Sequence, residues 1–388
     1  MRRLLAAEVV STTGSALTMV ALPWFVLTTT GSAARSGLVM AAEVAPVVLF
    51  GVVSGGWAAR VGARRWMLLS DSLRAPLVAL VPLLYALGVL PFWLLLVIVF
   101  VVGVFATPYT ASQQILLAHL AADDETALIR ATAKLQAATR LTLLLGPPAA
   151  GALIAAIGAP AVLLLDAATY LAVLPLIYRT PADDAQDSGS TPGVLAGLTT
   201  VYADRLLGTW TTASIFSEAA YQAVFVAFPV LTLLRYHATA TLAGVLLAAF
   251  GTGAIAGSII ASRAAGRVSL KWIALIGKTG QALAFIALIP AWPAVGLVSV
   301  SVILGLFNGL TNGPVGAIRL QRIAPATRAK ALTAIGTITW LGGISGLIGA
   351  GPTLDSTSPT LLFIALACLQ LLSLTLFVIG TATRQAVT

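Results

Sequence analysis

A chain of 388 residues that is 59% hydrophobic and only 9% charged lies far outside the soluble globular range. Apolar runs of roughly 20 residues recur along it, each long enough to cross a bilayer core of about 30 Å as a helix, and sustained period-two alternation is absent, which argues against an outer-membrane barrel. The net charge of +9 is spread over short loops rather than gathered into a patch, so nucleic acid is excluded as its reason.

The chain opens on Met1-Arg2-Arg3 and then stays apolar to about Leu27. That stretch outlasts the apolar core of a secretory signal, and no small-residue cleavage site follows it, so it reads as a first span. Further spans are expected near 36–59, 66–88, 92–113, 127–157 and 160–178, the first covering 4–28. A second set follows near 209–234, 239–262, 271–290, 293–316, 328–350 and 359–380. The expectation is an all-α integral membrane protein of twelve transmembrane helices in two pseudo-symmetric six-helix bundles. The N-terminal half is placed at 1–178, a cytoplasmic linker at 179–208 and the C-terminal half at 209–388. The linker carries Asp183, Asp184, Asp187, Gly189 and Pro192, and its segment from Val194 to Arg205 is amphipathic enough to lie on a membrane surface.

With twelve spans, the loops after even-numbered spans hold Arg60, Arg64, Arg65, Arg263, Arg267, Arg319, Arg322 and Arg328, while the opposite side carries little beyond Arg35 and Arg235. This asymmetry puts both termini and the basic loops in the cytoplasm. The outward connections at Gly88–Pro91, Gly158–Pro160 and Pro290–Pro293 are too short for an external domain. Cys368 is the only cysteine, so no disulfide forms within the chain.

The halves also repeat one another. Gly37-Leu38-Val39-Met40-Ala41-Ala42 opens a segment ending in basic residues, and so does Gly244-Val245-Leu246-Leu247-Ala248-Ala249; Gly103-Val104-Phe105 is echoed by Gly305-Leu306-Phe307. Internal repeats of apolar segments are a mark of secondary transporters, whose substrate path runs between the repeats.

The loop Gly55-Gly56-Trp57-Ala58-Ala59-Arg60-Val61-Gly62-Ala63-Arg64-Arg65 resembles the signature loop of the major facilitator superfamily. Gly55, Arg60, Gly62 and Arg64 match that pattern, whereas Ala59 stands where it has an aspartate and Ala63 where it has a basic residue. Asp71-Ser72-Leu73-Arg74, Ala21-Leu22-Pro23-Trp24, Pro108, Gly146-Pro147 with Gly151, and Asp166-Ala167-Ala168 are similar to segments of the exporter branch of macrolide-efflux and enterobactin-export proteins. Ser15 replaces an aspartate common among them.

The resemblance implies a non-enzymatic monomer in a bacterial cytoplasmic membrane, embedded in lipid, that exports a small organic compound such as a drug or natural product in exchange for protons. It implies no cofactor. Arg60, Gly62, Arg64, Asp71, Arg74, Gly146 and Pro147 are its expected gating residues. Asp71 is the carboxylate available to replace the missing aspartate, through Arg74 or Arg140. Uptake or uniport of a metabolite, and a non-transporting sensor with the same fold, remain alternatives.

No catalytic constellation is visible, His119 and His237 are far apart, and no Walker pattern supplies ATP. Ionisable residues inside spans are the informative ones, because each costs several kcal/mol unless paired or hydrated. Glu43 in span 2 is read either as a proton carrier or as a structural hydrogen-bonding group. In span 7, Glu218, Gln222 and Phe225 fall at helical spacing on one face with Pro229, flanked by Tyr221 and Phe228. That stripe suits a cationic or amphipathic molecule through charge and cation–π contacts, or else simple cavity lining. Glu218 is a second candidate proton carrier. Asn308, Thr311 and Asn312 give span 10 a polar face for either substrate or interhelical hydrogen bonds. Asp166 is expected at the contact of spans 5 and 6, and Lys134, Arg140 and the Asp123-Asp124-Glu125 run near the cytoplasmic surface.

Overall fold

The computed structural model describes residues 2–121, 125–181 and 194–382. Among them every regular element is helical, apart from an isolated bridge between Ala265 and Val268. In lipid no water can satisfy exposed amides and carbonyls, so an apolar run of this length closes its hydrogen bonds within itself as a helix.

The helices are α1 (Arg2–Thr30), α2 (Ala33–Val61), α3 (Ala63–Ala86), α4 (Phe92–Ala121), α5 (Glu125–Ile157) and α6 (Ala159–Tyr178). Next come α7 (Val194–Ala203), α8 (Arg205–Leu234), α9 (Ala240–Ala264), α10 (Leu270–Ala287), α11 (Ala294–Arg322), α12 (Pro325–Ser356) and α13 (Pro359–Ala382). The twelve expected spans are therefore α1–α6 and α8–α13. Eleven of these are long and apolar enough by composition to cross a membrane; α10 falls below that measure, with Lys271, Lys278 and Gln281 in its sequence.

Several helices outrun the apolar stretches that announced them. Span 4 was expected to stop near residue 113 and span 10 near 316, yet α4 continues to Ala121 and α11 to Arg322. Hydropathy marks where apolar sequence ends, whereas a helix continues until its backbone is broken, and arginines at its end can extend towards water. Arg319 and Arg322, read from sequence as loop charges, are thus helical.

The breaks are local. Gly62 between α2 and α3 has φ +90° and Gly158 between α5 and α6 has φ +84°, conformations that strain any residue with a Cβ. Gly62, expected as a gating residue, thus meets a backbone requirement of the turn.

The chain divides into two compact units. The first comprises α1, α3–α6 and α2 from Leu38 onward, with Ala238–Gly244; the second comprises α7, α8, α10–α13 and α9 from Val245 onward, with Ser32–Gly37. In the first, α1 packs on α5 and α6, and α3 on α4 and α6. Leu4, Ala7, Met67, Leu116 and Ile177 form part of one of its apolar clusters. In the second, α8 packs on α12 and α13, and α10 on α11 and α13. There Trp210 stacks on Phe377 with centroids 4.1 Å apart. Val201 of α7 joins that core, and Gly197 lies against the carbonyl of Lys330 on α12.

The sequence echo between Gly103 and Gly305 has a structural reason. A Cβ on Gly103 would collide with the carbonyl of Glu43 on α2, and one on Gly305 with the carbonyl of Phe250 on α9. Each repeat uses a glycine on its fourth helix to bring that backbone against its second helix. In the second unit Gly253 and Gly257 of α9, and Gly309 of α11, extend the close approach in the small-xxx-small manner of membrane helices.

Candidate functional site

Both units bury a cation on the third helix of their repeat, facing the first and sixth. In the first unit it is Arg74 on α3, 8% exposed. Its guanidinium donates to the Tyr170 hydroxyl of α6 and lies 4.2 Å over that ring. Tyr170 in turn meets Ser15 Oγ of α1 at 3.3 Å. In the second unit it is Lys278 on α10, 4% exposed. Its Nζ donates to Ser217 Oγ of α8 at 2.7 Å, Gln281 Oε1 at 3.1 Å and Gln370 Oε1 of α13 at 3.5 Å.

Their company differs. Asp71 is wholly buried one turn before Arg74, with Oδ1 3.8 Å from the guanidinium; neither carboxylate oxygen accepts a hydrogen bond among the described residues. Asp166, also wholly buried, accepts from Thr18 on α1 and from Thr169 at 3.4 Å. Glu8 of α1 is buried beside Gln113, and Glu43 lines a small pocket of about 20 Å³ with Thr18 and Leu22. Arg74 is the shared electrostatic neighbour of Glu8, Glu43, Asp71 and Asp166. Four carboxylates around one guanidinium leave an excess of negative charge that bound protons can balance.

The groups bonded to Lys278 are neutral, with Glu218 its one carboxylate neighbour. Gln281 Nε2 donates onward to Thr311 Oγ1 at 2.9 Å and to the Phe307 carbonyl at 3.2 Å, while Gln370 Nε2 donates to Ser217 Oγ at 3.1 Å. This network forms one wall of a cavity of about 310 Å³ inside the second unit. Glu218, Tyr221, Asn308, Asn312 and Arg319 also border it. Arg319 donates through one amino group to Ser214 Oγ at 3.0 Å, and its buried Nε has no hydrogen-bond partner.

Of the six residues expected to bind substrate, Glu218, Tyr221, Asn308 and Asn312 are brought to this cavity. Gln222 stands behind Glu218, donating to its Oε1 at 2.9 Å. Phe225 packs edge-on against Phe250 at 5.5 Å, and Tyr221 against Phe285 at 5.2 Å. Asn312 Nδ2 donates to Asn308 Oδ1 at 2.8 Å. Glu43 and Glu218 fall in different units and different pockets.

The expected gating residues do not form one cluster. Arg60 is exposed, and Arg64 donates to the Thr180 carbonyl at 2.8 Å. Asp71 and Arg74 lie in the buried interior among α1, α3 and α6 residues. Gly146 meets Ala16 where α5 crosses α1, and Pro147 lies within a continuous α5. Lys134 and His119 are exposed. Asp123, Asp124 and the linker residues Asp183, Asp184, Asp187, Gly189 and Pro192 lie outside the described residues, as do the side chains of Glu125 and Arg140.

Sequence reading passed over Glu8, Lys278, Gln281 and Gln370. Lys278 and Gln281 do carry a signal, being polar residues at i and i+3 within a span.

One polar device lies at a helix end. Asp204 caps α8, accepting from the Leu206 and Leu207 amides at 2.9 and 3.1 Å and pairing with Arg322 at 2.8 Å. Partial burial opposes its ionisation, but the Arg322 guanidinium and the two amides outweigh it and hold the carboxyl below its usual value.

A family model described as Major Facilitator Superfamily matches residues 4–237. The multidrug efflux pump Tap of Mycobacterium tuberculosis (strain ATCC 25618 / H37Rv) is 26% identical over 380 residues, spanning 94% of this chain and 89% of that protein. The pump of the same name from Mycolicibacterium fortuitum is 26% identical over 386 residues, spanning 95% and 92%. Among solved structures, the nucleoside transporter NupG aligns over 98% of this chain and 99% of its own with a TM-score of 0.79 at 12% identity. A D-xylose-proton symporter aligns over 97% and 96% with a TM-score of 0.73 at 15% identity. Those two likenesses are of fold.

Proposed function

The chain belongs to the major facilitator superfamily, and from that premise we propose that it exports small organic compounds across a bacterial cytoplasmic membrane in exchange for protons. Its multi-pass architecture suits the alternating access of that fold. The observation that carries the proposal is the polar cavity of the second unit, whose Glu218, Tyr221, Asn308 and Asn312 offer acceptors, donors and an aromatic face to one ligand. Relatives named as multidrug efflux pumps support export over uptake.

The acidic group of the first unit supports proton exchange. Glu43, Asp71, Asp166 and Glu8 share one cation, so protons bound there complete the charge balance and can leave when access alternates. Glu218 is the cavity's own carboxylate and an electrostatic neighbour of Lys278, which makes it the second proton-carrying group of this scheme. Arg60, Gly62, Arg64, Gly146 and Pro147 serve the scheme as gating positions.

The test is transport in proteoliposomes with and without an imposed pH gradient, using cationic, neutral and anionic fluorescent organic compounds. Accumulation that requires the gradient and collapses when it is dissipated is the expected result. Equilibration unaffected by the gradient would identify a uniporter, and absence of any movement would point to a non-transporting role.

A further inference from the structure

Two cations border the cavity of the second unit without an ion pair: Glu218, the electrostatic neighbour of Lys278, stays beyond 4.0 Å. Lys278 Nζ is held by three neutral oxygens, and Arg319 by the Ser214 hydroxyl alone at its amino end. Among the described residues the salt bridges are Asp71–Arg74 and Asp204–Arg322, so neither Lys278 nor Arg319 has an anion within 4.0 Å. Glu218 is the carboxylate on the cavity wall, and its Oε1 is already engaged by Gln222 Nε2.

The two cations are also placed together. Ser214 and Ser217 lie three residues apart on α8, hence one above the other on a single face, and each anchors one of the cations. Arg319 keeps a buried Nε without a partner, the kind of donor that a planar acid group engages side-on. A cation taken out of water and left beside neutral groups is held at a cost that a counter-charge relieves. The protein places no carboxylate in direct contact with either cation, and the cavity supplies room for one.

We propose that this cavity recognises organic acids: the acidic group of the transported molecule lies between Lys278 and Arg319. The apolar remainder then faces Tyr221, Val315 and Phe377, which share the cavity wall. Glu218 and Asn308 meet any donor the same molecule carries. This rests on the cavity being the transport site and replaces the cationic preference read from the span-7 stripe alone. Expulsion of an anion is also favoured by the negative-inside membrane potential.

The experiment measures equilibrium binding to the purified full-length protein in lipid nanodiscs, with three matched probes: naphthalene carrying a carboxylate, its methyl ester, and an aminomethyl group. The carboxylate should bind at least about tenfold more tightly than the ester or the amine, the order expected for one charge-assisted contact. Lys278→Gln and Arg319→Gln should each erase that preference, while Lys278→Arg, which keeps the charge, should retain it. Thermal unfolding of every variant separates lost recognition from lost fold. Equal or tighter binding of the ester or amine, no measurable binding of the carboxylate, or a preference that survives Lys278→Gln in a folded protein would each overturn the proposal. Transport of the same probes, measured in parallel, keeps the two readings apart. Acid-selective binding without gradient-driven movement breaks the export reading alone, and gradient-driven movement without charge preference breaks this one alone.

Discussion

The two units share one internal plan and differ in what surrounds its central charge. Each sets a cation on the third helix of its repeat against hydroxyl or amide groups of the first and sixth. Arg74 has four carboxylates for electrostatic neighbours, whereas Lys278 has one, Glu218, together with three neutral oxygens bonded to it and an open cavity. Duplication explains the common geometry, down to the glycines that press the fourth helix onto the second. The proposed function rests on this divergence in charge, assigning protons chiefly to the first copy and substrate to the second.

The sharpest break in this comparison is to remove each cation in turn. Arg74→Met leaves four buried carboxylates without their counter-charge and should cost about 3–5 kcal/mol, read as a large drop in thermal unfolding temperature. Lys278→Met removes an ammonium bonded to neutral oxygens with a single carboxylate neighbour, and should cost much less. Equal losses would mean that the environments are not distinct.

Carboxylate replacement sharpens the functional side. Glu43→Gln and Asp71→Asn should reduce gradient-driven transport to background while the folded protein still binds substrate. Glu218→Gln should lower gradient-driven transport without weakening binding of an acidic substrate. If Glu43→Gln and Glu218→Gln both leave gradient-driven transport unchanged, the assigned carriers are wrong.

The shared scaffold predicts like responses. Gly103→Ala and Gly305→Ala each force a Cβ onto a facing carbonyl, so both should destabilise by about 1–3 kcal/mol in thermal unfolding. A tolerated change in one copy would show that the repeats no longer pack alike.

The smallest expected effect is peculiar to the second unit. Asp204→Ala removes a helix cap and a partly buried ion pair, at about 1 kcal/mol, and Asp204→Asn should cost less because the cap oxygen remains. Because the folded carboxyl titrates below its unfolded value of about 3.9, its contribution is full above that pH and fades as pH falls through the lower, folded value. Wild-type and Asp204→Asn stabilities should therefore converge in strong acid.

The architecture was legible because lipid leaves an apolar run of this length few structures other than a helix. The glycine echo was legible too, since close helix contact needs glycine at particular positions. Four cavity residues could be named because a helix displays residues three or four apart on one face, which groups Glu218 with Tyr221 and Asn308 with Asn312. Lys278 was not found: its meaning depends on Ser217 and Gln370, which arrive from helices distant in sequence. Arg319 was hidden for a related reason. Hydropathy ended its span early and assigned to a loop an arginine that reaches the cavity wall. Asp71, expected as a gating residue beside the basic loop, is buried because α3 presents that face to the interior.

The division of labour between the units is tested most directly by comparing two modes of transport in one preparation. Proteoliposomes of wild type, Asp71→Asn and Lys278→Gln would be assayed for exchange of the naphthalene carboxylate without a gradient, and then for its accumulation under a pH gradient. Asp71→Asn should retain exchange and lose accumulation, and Lys278→Gln should lose both. Loss of exchange in folded Asp71→Asn, or undiminished exchange in Lys278→Gln, would contradict the assignment of protons to the first unit and substrate to the second.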